Sequence, residues 1–342
     1  MTRSSITASP IPVDNPTEAG ARHRRLTYSL MSVPLGLAGS GAAWTAAARQ
    51  FDITPLIGEA LFLGSLLGWL AITIARIPIS RSRWHELRSD LRNPATGPFP
   101  AYVPIVGLLL TGHYSSHLPQ TVSQVLCMFW VSLLCLISGH LIAIWFGGTL
   151  RLDHLHPGYS LPVIAGPFIA STVLSVVGFH EVALTAIGAG AFFWLVIGTI
   201  IIGRLIVAEP LPSYMAPTLS VIVTPPVTGG LAWFAYSGGQ VDGVQFALVG
   251  VIFLLVLTQV FFVPTYRNAP YSIVWWAFSF PAGALAGYSI RWEAAIHTLL
   301  SGVIAMCALG VSSGTLLALS GASILSFIRA RRATRGSTAT HG

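Results

Sequence analysis

The chain has 342 residues, 54% of them hydrophobic and only 8% charged. That balance excludes a disordered protein and fits poorly with a soluble enzyme. All 18 cationic side chains are arginine and the formal net charge is +7, which raises nucleic acid as a partner until the arginines are placed along the chain.

Ten apolar runs follow one another, at 27–48, 54–77, 98–115, 119–148, 160–179, 181–207, 214–236, 243–264, 271–290 and 294–328. Several reach the roughly 20 residues needed to cross a hydrocarbon core. The turns between them leave no room for a folded soluble domain. Runs one, three, five, seven and nine carry proline well inside: Pro34; Pro104; Pro162 and Pro167; Pro217, Pro225 and Pro226; Pro281. The even runs keep proline at or near their ends, as with Pro55, Pro78, Pro119 and Pro264. An interior proline removes a backbone donor and bends the helix. At membrane depth the freed carbonyl must then be satisfied by neighbouring protein or by water in a cavity. The chain therefore reads as an all-α integral membrane protein. Ten transmembrane helices form five hairpins, with the bent odd helices around a central pore and the straight ones facing lipid.

With the N-terminus placed in the cytoplasm and the turns assigned alternately, every arginine falls inside except Arg49 and Arg291. This is a strong positive-inside bias. It puts both termini in the cytoplasm, makes the membrane a plasma membrane, and turns the basic charge into topology and attraction to anionic lipid rather than a nucleic-acid footprint. The domain reading is a polar tail at 1–25, a transmembrane domain at 26–328 and a basic tail at 329–342. The first 25 residues have no apolar core and do not read as a cleavable signal peptide. The longest inside turn, 78–97, holds Arg81, Arg83, Glu86, Arg88, Asp90 and Arg92 and reads as a short surface helix at the cytoplasmic interface. A solvated connector and a docking site are both open there.

Candidates for chemistry are few. Cys127, Cys135 and Cys307 lie in apolar runs without C-x-x-C spacing, and read as packing residues. Glu59 and Glu181 stand near run starts, and no acid clearly occupies mid-membrane depth, so a proton relay has little visible machinery. His113 and His117, four apart, share a helix face as metal ligands do, yet they sit at a membrane boundary where polar clusters are ordinary. His140, deep in run four, is expected to make an interhelical hydrogen bond. His154, His156, His180 and His297 fall at turns or run ends and are expected to be solvated. Phosphate-binding glycine loops and ATPase motifs are absent from the sequence, so ATP-driven pumping by this chain alone has no support. Run nine sets Trp275, Trp276, Phe278 and Phe280 before Pro281, then Ala282, Gly283, Ala284, Ala286 and Gly287. A phenylalanine at a proline bend beside small residues can project into a lumen and close it by excluding water. A packing or lipid-facing aromatic is the alternative.

Four stretches carry a family likeness: SVPLGLAG at 32–39, HPGYSLP at 156–162, RLIVAEPLPSYMAPTLSVIVTPP at 204–226 and WWAFSFP at 275–281. In order and spacing they resemble the tellurite-resistance/dicarboxylate transporter family. It includes bacterial tellurite-resistance proteins, fungal malate and sulfite transporters and plant slow-type anion channels. The resemblance covers residues 28–325. It implies ten helices, a pore lined by the odd ones, a homotrimer with one pore per subunit, and Phe280 as the gate. Phe278, about 200° away around a helix, then points elsewhere. Proline at 281 matches the plant-channel pattern, where the bacterial tellurite-resistance pattern has glycine. The long regulatory tails of the plant channels are missing.

The function expected is anion permeation, passive or weakly coupled, with small inorganic or organic anions such as C4-dicarboxylates passing a Phe280-gated pore in the lipid bilayer. Pro34, Pro104, Pro162, Pro167, Pro225 and Pro281 are the bends lining it. Ser32, Ser171, Thr172, Thr224 and Thr228 are its candidate polar lining. No catalytic residue, cofactor or resident metal is expected. The competing readings, in order, are a coupled carrier of malate, sulfite or a tellurite-related oxyanion, and a membrane-embedded metal protein or enzyme built on His113, His117 and His140.

Overall fold

Proline placement shapes the first half of every odd run. The computed structural model describes residues 28–77, 80–92, 97–148, 151–152 and 155–339, with side chains as far as 331; the tail at 1–25 lies outside them. Run one starts as a 3-10 turn, Tyr28–Met31, and continues as α1, Ser32–Gln50. Run three starts as Phe99–Ala101 and continues as α4, Tyr102–Tyr114. Run five passes from a π turn, Leu161–Ala165, into α6, Gly166–Val176. Run seven passes from the 3-10 stretch Ser213–Val223 into α8, Thr224–Tyr236. Run nine passes from Ile273–Phe278 into α11, Ser279–Ile296. Pro34, Pro104, Pro167, Pro225 and Pro281 each fall at the second or third position of the α-helical part. That is the first turn, where a missing N–H leaves no helical bond unmade. The bends are thus changes of helix type, with proline opening each α-helical half rather than breaking a continuous one.

The even runs start directly as α-helices: α2, Leu56–Arg76; α5, Gln120–Phe146; α7, His180–Val207; α9, Gly243–Phe261; and α12, Leu299–Ala339. They are not all regular, since α7 contains a π turn at Trp194–Gly198 without any proline. The surface helix expected in the inside turn is α3, Arg81–Arg92, tied to α2 by Arg76, which pairs with Asp90 and, at 3.5 Å, with Glu86. A short α10, Val263–Arg267, follows α9. Helix α12 continues past residue 328 to Ala339, so the basic tail begins as helix.

No strand occurs among the described residues. Among the described residues, eight helices are long and apolar enough to cross a membrane. The helix of run one, rich in glycine, alanine and serine, and the 13-residue α4 are not among them. Both are surrounded by protein, where backbone packing replaces side-chain hydrophobicity as the requirement. Burial separates the two sets. The spans of runs five, seven and nine are 83%, 78% and 56% buried, against 28%, 22%, 22%, 11% and 28% for runs two, four, six, eight and ten. Consecutive runs also pack on each other in pairs: one with two, three with four, five with six, seven with eight, nine with ten.

Polar side chains of the outer helices hold the inner ones. Ser65 of α2 donates to the Pro34 carbonyl at 2.7 Å, and Trp69 donates to the Val103 carbonyl at 2.9 Å. Ser138 of α5 donates to the Pro162 carbonyl at 3.0 Å. Gln245, fully buried near the start of α9, donates to the Gly230 carbonyl and accepts from the Tyr288 hydroxyl, each at 2.9 Å. His140, by contrast, is exposed on α5 and makes no interhelical hydrogen bond among the described residues, because it faces the outside of the bundle.

The tightest meeting is between α1 and α11. A Cβ added at Gly36 would lie 1.9 Å from Ser279 Oγ, and one at Gly283 would lie 2.5 Å from the Ser40 backbone nitrogen. The two backbones can approach this closely only without side chains at those positions. Gly283→Ala is therefore expected to lower the unfolding temperature of the detergent-solubilised protein, at a cost of about 1–3 kcal/mol. Gly310→Ala, whose Cβ would meet nothing within 4 Å, should leave it unchanged or slightly raised. Indistinguishable melting curves for the two variants would remove this contact from the account.

Candidate functional site

Two cavities lie along the inner helices. The first is walled by the N-terminal parts of the odd runs, including Ser29, Ser32, Tyr102, Thr218, Thr224 and Trp276. The second is walled by their C-terminal halves, including Gly39, Leu109, Thr172, Thr228, Gly287 and Arg291. We call them the N-side and C-side cavities. All five odd runs contribute to each, no even run does, and neither wall contains an acidic side chain.

Phe280 is the one residue common to both walls. It sits in the first turn of α11 and is 5% exposed. Its ring lies on the backbone of α1, since a Cβ added at Gly39 would come within 2.8 Å of the ring. Ser220, from run seven, shares its hydroxyl between the Pro217 carbonyl at 2.8 Å and the Ala277 carbonyl at 3.2 Å. Ser279, just before Phe280, donates to the Trp276 carbonyl at 2.6 Å. The ring is thus carried on a bend held by two serines and floored by a glycine.

Compared with protein families, residues 25–331 match SLAC1, the voltage-dependent anion channels. The chain belongs to this family. It is 23% identical over 261 residues to the tellurite resistance protein TehA homolog of Haemophilus influenzae, covering 76% of this chain and 79% of that protein. It is 23% identical over 302 residues to the S-type anion channel SLAH2 of Arabidopsis thaliana, covering 85% of this chain and 57% of that one. Identity to the guard cell S-type anion channel SLAC1 of the same plant is 24% over 301 residues, with coverage of 82% and 52%. The chain spans a little over half the length of these plant relatives. As a SLAC1-family chain with eight apolar membrane-length helices, it is a multi-pass membrane protein.

Within this SLAC1-family core the residues singled out from sequence separate cleanly. Ser32 and Thr224 line the N-side cavity, and Thr172 and Thr228 line the C-side cavity. Ser171 is fully buried but belongs to neither wall. Of the prolines, Pro281 lines the N-side cavity. Pro34, Pro104, Pro162 and Pro167 stand behind the walls, and Pro225 borders a separate small cavity with Trp194 of α7. Pro34 packs toward the outer helix instead, 3.8 Å from where a Cβ at Gly68 would lie. Phe278 faces the periphery, its ring 4.8 Å from Tyr266 and 5.7 Å from Trp275. His113 and His117 do not converge on a common ligand point. His113 Nε2 lies 3.0 Å from Glu59 Oε1, with its ring stacked 3.6 Å from Phe62.

His156 overturns its expectation. Instead of being solvated it is 4% exposed and lines the N-side cavity. Its Nδ1 accepts the Gly158 N–H at 3.2 Å, so the proton of the neutral ring sits on Nε2, which has no hydrogen-bond partner among the described residues. Thr224 Oγ1, in the same wall, also lacks a partner. His156 immediately precedes the span that opens at Pro157. Burial, and secondarily the Arg204 charge, push its imidazole down to about 4. A turn position next to proline carries no sign of such burial, and only the His-Pro pair of the family likeness marks it. Because the folded-state value lies below the ordinary 6.5, the unfolded chain binds more protons between those limits, and stability falls on acidification through that window. This group should contribute a loss on the order of 3 kcal/mol, and His156→Gln should remove that part of the slope. Thermal unfolding in detergent from pH 7 to 4 reads it, and parallel curves for the two proteins would contradict the assignment.

Proposed function

We propose that the chain is an anion channel whose pore is the line of the two cavities, closed at Phe280. One observation carries this reading: Phe280 alone belongs to both walls, and both are built from the five odd runs without an acidic side chain. An acid-free wall does not repel anions. The α-helical halves of the odd runs begin around the N-side cavity, at Ser32, Tyr102, Gly166, Thr224 and Ser279, and their positive ends favour negative charge there. The unpartnered donors of His156 and Thr224 offer hydrogen bonds to a partly dehydrated ion while adding no net charge at neutral pH. Binding stays weak enough to release the ion, as conduction requires.

In this reading all ten runs cross, as five hairpins, with both termini in the cytoplasm of a plasma-membrane protein. The pairwise packing of consecutive runs and the arginine distribution support it. Three copies assemble, one pore each, as the family resemblance implies. The ions are small inorganic anions or C4-dicarboxylates. A membrane potential negative inside opposes anion entry by about 2.3 kcal/mol per charge per 100 mV, so an uncoupled pore mainly releases anions.

Phe280→Ala is expected to raise anion conductance in planar bilayers by roughly tenfold or more, equivalent to removing a barrier of at least about 1.4 kcal/mol. Phe278→Ala should not, because that ring packs on Tyr266. Equal, small effects would remove the gate. A reversal potential that follows one anion and ignores pH marks a channel; saturable, pH-dependent flux would replace it with a coupled carrier.

A further inference from the structure

Arg291 lines the C-side cavity. It lies eleven residues beyond Phe280 on α11 (291 − 280), which returns it to within about 20° of the same helix face, about 16 Å farther along the axis. Gly283, Ala284 and Gly287 occupy that face between them and line the same cavity. A straight path over small residues therefore joins the ring to the guanidinium. Arg49, exposed in the last turn of α1, stands at the same end of the α1–α11 pair, where Ala47 and Ile290 share one buried cluster.

Among the described residues neither arginine forms an ion pair. The acids at this end are otherwise engaged or displaced. Glu59 faces His113 at 3.0 Å, Glu293 accepts from Ser301, and Asp52 sits exposed in the turn after α1. Two cations held near each other without a counter-charge repel, and an anion between them relieves that cost. These are also the only two arginines that break the charge bias along the sequence. Of the two, Arg291 lines the cavity, and Arg49 stands exposed outside its wall.

We infer that Arg291, assisted by Arg49, forms an anion-capture site at the outer end of the C-side cavity, selective for small oxyanions that present two oxygens to a guanidinium. The planar fork of arginine pairs bidentately with carboxylate-like and nitrate-like ions and only singly with a halide. In its use the site rests on the permeation reading, since it concentrates anions at the outer mouth and receives those leaving past Phe280. Its geometry does not depend on that reading.

The test is binding to the purified full-length protein, read as the rise in unfolding temperature with nitrate or with chloride at constant ionic strength. Wild type should show a saturable stabilisation with nitrate effective at lower concentration than chloride. Arg291→Gln should weaken the apparent nitrate affinity about tenfold or more, and Arg49→Gln by a smaller factor. Arg291→Lys, which keeps the charge and the fold, should retain stabilisation but lose the preference for nitrate. An identical nitrate response in wild type and Arg291→Gln overturns the site. So does an undiminished nitrate preference in Arg291→Lys. Bilayer currents separate this from the channel reading. An Arg291-dependent nitrate shift in a protein that passes no current, even as Phe280→Ala, supports the site and defeats permeation. With current present, Arg291→Gln in the Phe280→Ala background should reduce conductance at low nitrate and converge with its parent at high salt, where charge is screened.

Discussion

Two helix backbones touch where α1 meets α11, and the functional geometry is built outward from that contact. Gly36, Gly39 and Gly283 leave no side chain between them, so Ser279 and Phe280 seat directly on the α1 backbone. Such an approach maximises dispersion contacts and needs no hydrophobic driving force, which lipid does not supply between helices. It also explains why run one can be poor in large apolar residues. Its neighbours are protein, and a Leu or Ile at Gly39 would displace the ring.

The bent helices pose a second constraint. Changes from 3-10 or π winding to α winding leave carbonyls without regular donors, and such groups are tolerated at membrane depth only when enclosed. The outer helices enclose the bends and add side-chain hydrogen bonds to inner-helix carbonyls. Ser65 reaches the Pro34 carbonyl, Ser138 the Pro162 carbonyl and Trp69 the Val103 carbonyl, while Ser220 serves the Ala277 carbonyl from within the inner set. The straight helices are a sleeve of hydrogen-bond donors as well as a greasy surface. The irregular inner backbone is what leaves space for cavities along the axis.

Those cavities are mostly apolar, interrupted by a few polar groups and by no charge near the ring. Hydroxyls and a neutral imidazole line the N-side cavity, and small residues and threonines line most of the C-side cavity. Fixed cations near the ring would bind anions tightly and slow their exit. The single guanidinium in the walls stands three turns away from Phe280. In the proposed pore this division would place attraction at the mouth and weak, directional hydrogen bonding at the ring.

Much of this architecture is readable in the order of residues. Prolines recurring in alternate runs announce an inner bent set and an outer straight one, because proline's missing donor acts locally. The 100° step per residue separates Phe280 from Phe278 on any helix, and the family likeness selects between them. Other features depend on which surfaces meet. His156 looks like a solvated turn residue until runs five, seven and six close over it. Arg49 and Arg291 look like unrelated exceptions 242 positions apart (291 − 49) until α1 and α11 bring their ends together. Ser171 and Thr172 are neighbours in the chain, yet only Thr172 reaches a cavity. Local periodicity assigns a residue to a helix and a side, whereas burial, partnership and shared charge arise between elements. Those properties exist only once the helices are packed.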